Sequence, residues 1–250
     1  MNVILRSMAI GALALGTGFS VAFAHGPEDG GIMAPDGKGV AAPFDIIHAR
    51  ITTDGNVAVF HMGVSGNAGA SKPSASGKLA GSRVFSYVWP TSIDTAGVGF
   101  DEKAGILAFA VTAHPDFDDT PLFDENGDGK LDNDGDLWHS HWVVLAPDEA
   151  CGAGNLKVKD IPEGSKPSLP PTWPGLPILI DSPGWSPVIS GDTVEVRVPF
   201  HDIGMVKAAS FDGVTAGLRV NDSIHAPLLC VVDVFDVASG DLSLPGKTNR

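Results

Sequence analysis

Thr193-Val194-Glu195-Val196-Arg197-Val198-Pro199 alternates strictly, with three valines on one side of the chain and Glu195 and Arg197 on the other. A period of two is what a strand shows when one face lies in a core and the other in water. Outward from this stretch, β-type runs recur over Phe44 to Ile51, Val57 to Val64, Arg83 to Trp89, Ile106 to Thr112, Leu137 to Leu145, Pro177 to Ile180, Val214 to Val220 and Pro227 to Val234. They are separated by Gly, Pro, Asn, Asp and Ser, the residues that set turns. No segment carries a helical period. With 31 glycines and 19 prolines in 250 residues, the pattern predicts an all-β fold. We expect one immunoglobulin- or jelly-roll-like β-sandwich with long loops over residues 44–250. Residues 25–43 read as a loose arm, and Pro162 to Pro187 as an extended connection over the sandwich.

Arg6 precedes an apolar run from Met8 to Phe23 that ends in the small-x-small sequence Ala22-Phe23-Ala24. That is the pattern of a secretory signal peptide over residues 1–24, and it predicts a periplasmic or secreted protein. The run stops short of the ~20 apolar residues of a membrane span. A formal net charge of −14 disfavours nucleic acid and anionic membrane surfaces and favours cations. In an oxidising compartment Cys151 and Cys230 predict one disulfide, with two separate buried thiols as the alternative.

Asp124 to Asp136 reads DENGDGKLDNDGD. Asp124, Asn126 and Asp128 stand at positions 1, 3 and 5 of a calcium loop, Gly129 at the turn, Lys130 at the position that offers a backbone carbonyl, and Asp132 at position 9. Position 12, normally a bidentate glutamate, is Gly135, so a last ligand falls to Asp134, Asp136 or another residue. The segment resembles the calcium loops of dockerins and thrombospondin type 3 repeats, which implies a structural calcium ion. Calcium is the favoured reading of this stretch, with a solvated acidic turn as the alternative. Asp116, Asp118 and Asp119 would extend the calcium loop, inserted over 116–136, or form a carboxylate pair, but read more simply as a solvated acidic loop.

Trp138-His139-Ser140-His141-Trp142 follows at once. On a strand His139 and His141 share one face and the two tryptophans the other. Two imidazoles so placed suit copper or zinc if His114, His61, His48 or His225 supplies a third donor. Half-buried histidines bonded to neighbouring protein groups are the alternative. Cleavage after Ala24 would make His25 the mature N-terminus, where amine and imidazole chelate one copper. In this single residue the chain resembles lytic polysaccharide monooxygenases and periplasmic copper carriers.

Two segments, Asp45 to Asn56 and Gly191-Asp192-Thr193 to Pro199 with Asp202-Ile203-Gly204, resemble the opening hairpin and a late element of DOMON (dopamine-monooxygenase-type) and family 9 carbohydrate-binding-module sandwiches. That resemblance implies a ligand-binding sandwich, with sugar or haem as ligand classes. Trp89, Trp138, Trp142, Trp173 and Trp185 are the candidates for stacking on a sugar, and Met62 beside His61 for haem. No nucleophile elbow, phosphate loop or H-E-x-x-H is present. The expected function is an exported calcium-binding module, more a binder than an enzyme. A periplasmic copper or zinc carrier or oxidative enzyme using His139, His141 and His25 is the alternative, and a carbohydrate- or haem-binding sandwich the third.

Overall fold

The computed structural model describes residues 30–35, 37–223 and 227–248. The expected leader, His25 and His225 lie outside them. The chain is all-β, with strands β1 (Ile32–Met33), β2 (Ile46–Asp54), β3 (Val57–Val64), β4 (Arg83–Pro90), β5 (Ile106–Ala113), β6 (His139–Pro147), β7 (Leu156–Val158), β8 (Ile180–Asp181), β9 (Val188–Ser190), β10 (Thr193–Pro199), β11 (Ser210–Phe211), β12 (Val214–Val220), β13 (Leu229–Val237) and β14 (Gly246–Lys247). Among the described residues the one α-helix, α1 (Ile203–Ala208), is capped by the Asp202 carboxylate accepting from Gly204 N, and six residues are too few to show a helical period.

Two layers face each other. The first is the sheet β1-β2-β3-β10-β9, where Val194 opposes Met62 and Val196 opposes Phe60. The second runs β5-β4-β12-β13-β7-β6, and β6 pairs back with β5. This layer is therefore a closed six-stranded barrel, not the second open sheet of a simple sandwich. Part of the expected loose arm is held in the first layer, because Ile32 and Met33 pair with Ala49 and His48 and Ile32 is buried.

Closure follows from strands that are apolar on both faces. Along β5, Leu107, Phe109 and Val111 pack between the layers, whereas Ala108 and Ala110 point into the barrel. On β4, Tyr87 and Trp89 face the first sheet while Val84 and Val88 face inward. Large residues thus fill the space between the layers and small ones line the lumen. The barrel's weakest pairing is its seam, where Cys230↔Lys157 is the single register pair between β13 and β7. The disulfide Cys151–Cys230 lies at that place and joins positions 79 apart in sequence. A loop of that length stabilises by on the order of 4 kcal/mol through the entropy of the unfolded chain.

Candidate metal centre

The hairpin of β5 and β6 and the long connection between them bring four donors together. On β6, Trp142 and Val144 pack between the layers and His139, His141, Val143 and Leu145 take the barrel side. His114 follows β5 directly and is anchored by its own N–H donating to Gly135 O at 2.7 Å. Asp119 belongs to the connection, yet it is only 6 % exposed. The Nε2 atoms of His114, His139 and His141 lie 3.2, 3.2 and 3.3 Å from Asp119 Oδ1. His114 Nε2 and His139 Nε2 are 3.0 Å apart. Among the described residues this is the one gathering of three or more such ligand atoms.

The opposite ring nitrogens fix the tautomers. His114 Nδ1 faces Phe117 O at 2.9 Å and His139 Nδ1 faces Leu137 O at 2.8 Å. A carbonyl only accepts, so both Nδ1 atoms carry protons. Ser182 Oγ donates to Asp119 O at 2.6 Å, which leaves its lone pairs for His141 Nδ1 at 3.1 Å. In neutral rings, all three Nε2 atoms then present lone pairs toward Asp119 Oδ1, and the Thr112 hydroxyl, 3.1 Å from His139 Nε2, is a donor to one of them. Lone pairs this close repel unless a proton or a cation lies between them. Donors 2.0–2.1 Å from a tetrahedral ion stand roughly 3.3 Å apart, close to the spacing here. A proton relieves one such pair, whereas an ion relieves all four atoms together.

Burial pushes the Asp119 carboxyl up, but the fields of His141 and His114 when those rings are protonated, and the contacts with the His114 and His139 rings, outweigh it and hold it well below the usual carboxylate range, so the carboxylate stays charged whether protons or an ion face it. Asp119 Oδ1 and His141 Nε2 are buried without a hydrogen-bond partner. Outer contacts of this kind orient metal-binding histidines and are worth 10–100-fold in affinity. Ser182→Ala should accordingly weaken zinc binding by about that factor with little change in fold, as a calorimetric titration of parent and variant would show. Equal affinities would leave Ser182 no part in holding His141.

Asp124 to Asp136 lies within the same connection but folds onto its own backbone. Asp124 Oδ1 accepts from Gly127 N and Asp128 N, and its Oδ2 from Gly129 N. Asn126 Oδ1 accepts from Asp128 N, and Asp128 Oδ1 from Lys130 N. Asp132 is exposed, and Asp136 is paired with Lys72 at 3.8 Å. Asp134 is 1 % exposed; its Oδ2 accepts from Glu125 N, while its Oδ1 has no partner. Gly135 replaces the glutamate of the calcium-loop pattern for a steric reason: a Cβ there would lie 1.9 Å from Phe117 O.

Of the expected histidines, His139 and His141 converge and His114 is their third. His48 and His61 are elsewhere, in the first sheet, with Nε2 atoms 2.8 Å apart. Met62 is fully buried in the core between the layers. None of the five tryptophans is exposed, and Trp89 and Trp142 are core residues. Asp119 is the correction: it reads as one of a solvated acidic run and is a buried member of the centre. Its spacing from His114 does not separate it from Asp116 and Asp118, which stand in the same run. Comparison of the chain with protein-family models, with curated proteins and with solved structures finds no match.

Proposed function

We propose that the protein is an exported metal-binding β-protein whose centre, His114, Asp119, His139 and His141, holds one divalent transition ion of the zinc or copper class. The observation that carries this reading is the convergence of three Nε2 atoms on one carboxylate oxygen, with the Nδ1 side of each ring held by a protein oxygen. Imidazole and carboxylate suit zinc, copper, nickel and iron, whereas calcium takes six to eight oxygens. The apolar leader and the two cysteines support the exported setting.

Calcium in the Asp124 to Asp136 loop is a second and separate reading, favoured by the buried, unpartnered Asp134 Oδ1. It would act as a structural ion in a binding module. Elemental analysis of protein purified from its native compartment, with calorimetric titrations of the stripped chain, tests both. The expected result is one equivalent of zinc or copper, with a nanomolar or tighter dissociation constant, roughly what structural zinc sites reach. Calcium should compete with neither. A stripped chain that takes up no transition ion ends the first reading, and one that takes up no calcium ends the second.

A further inference from the structure

A cavity of about 140 Å³ occupies the barrel lumen, and His114, Asp119 and His141 form part of its wall. Most of the remaining wall is apolar, with Ser86 and Ala110 mid-barrel and Val84, Val143 and Leu218 around them. The void comes from side-chain choice. The same strands carry Tyr87 and Phe109 on their outer faces but Ser86, Ala110 and Ala216 inside. Empty volume in a core is destabilising, and natural interiors normally close it. Val234 and Leu242 also line the space and are 52 % and 43 % exposed, so one wall reaches the surface.

Resting on the metal reading above, we propose that the lumen admits a small organic anion that adds a fifth donor to the ion, expanding its four-coordinate shell: one monoanionic donor at the centre, with an apolar body of single-ring size filling the barrel. The charge argues for one anionic donor. A divalent ion with the Asp119 carboxylate leaves one net positive charge at the end of an apolar cavity. Among the wall residues, the acid and the bases are those of the centre itself, so a charged head elsewhere in the lumen would be desolvated without a partner. The volume sets the body, since an apolar cavity of about 150 Å³ accommodates benzene. Three of the four donors also line the lumen, so the ion would be approached from inside the barrel.

The test uses the full chain loaded with cobalt(II), whose visible spectrum reports coordination, and then with zinc(II) for calorimetry. Benzoate, acetate and 2-naphthoate share one carboxylate head and differ in body. Benzoate should shift the cobalt spectrum and bind at least tenfold more tightly than acetate, while 2-naphthoate, too large for the lumen, should bind no better than acetate. Ala216→Leu, which fills the cavity, should lower benzoate affinity at least tenfold and leave the cobalt spectrum and acetate affinity unchanged. Cobalt uptake with benzoate no tighter than acetate overturns the cavity inference and leaves the metal centre standing. Preference for 2-naphthoate overturns the proposed size limit, and with it the lumen as the binding place. A chain that takes up no cobalt overturns both readings. Should Ala216→Leu not fold, the three carboxylates on the parent chain still decide.

Discussion

His141→Ala should lower zinc affinity by more than a hundredfold, and His114→Ala and His139→Ala should do the same, whereas His201→Ala, at an exposed position after β10, should leave it unchanged. Loss of an outer contact already costs 10–100-fold, and each of these changes removes a donor. The readout is a zinc titration with parallel melting curves. Saturating zinc stabilises the parent in proportion to its affinity, about 4 kcal/mol at a thousand times the dissociation constant. In the three variants that gain falls to about 1.4 kcal/mol or less, and stripping the metal from all four chains narrows the gap between parent and variants. The competing reading is a core of histidines held by protein hydrogen bonds and a shared proton. It predicts the opposite pattern, in which the variants are destabilised equally with and without chelator. That outcome would remove the metal centre.

Phe60→Ala costs about 3–5 kcal/mol, the range for a fully buried phenylalanine. Phe60 is 0 % exposed and lies where the first sheet meets the barrel, with ring centroids 4.6 Å from Phe109, 5.7 Å from Trp142 and 5.8 Å from Trp89. All three neighbours sit on barrel strands, so truncation opens a void in the joint between the layers. Urea unfolding measures the loss, and a value under about 1 kcal/mol would show that the joint collapses around the gap. Zinc affinity of the folded variant should stay near that of the parent. The donors belong to the hairpin and its connection, and their side of β6 is the lumen, not the joint.

How far the sequence could be read follows the range of the interactions involved. Val57 to Val64, Thr193 to Pro199 and Val214 to Val220 are strands over the expected stretches, Thr193 to Pro199 from its alternation and the other two as β-type runs bounded by turn residues, because both signals are local. The pairings of β4 with β12 and of the three-residue β7, which seals the barrel, with β13 are not local. An apolar run buried on both faces looks the same in an open sheet and in a barrel wall. His139 and His141 were legible as a pair sharing a face, because strand geometry puts them there. Asp119 was not, because its neighbours Asp116 and Asp118 bind nearby backbone and hydroxyl groups and only the folded chain tells the three apart. The spacing of Asp124, Asn126 and Asp128 matches a calcium loop, and it also suits the turns by which these residues bond their own backbone.

The four donors fall within residues 114–141, on one hairpin and its connection, whereas the barrel's seam joins positions 79 apart and the first sheet pairs residues 57–63 with 193–199. Loop-closure entropy rises with separation, and contacts close in sequence form first. The hairpin can therefore assemble its donors while the rest of the chain is still searching, and an ion captured then would act as a folding nucleus. By the same measure the bridge Cys151–Cys230 closes after the hairpin. It works as a latch on the barrel's seam, so a refolding experiment should show the native seam appearing more slowly than the metal-bound hairpin.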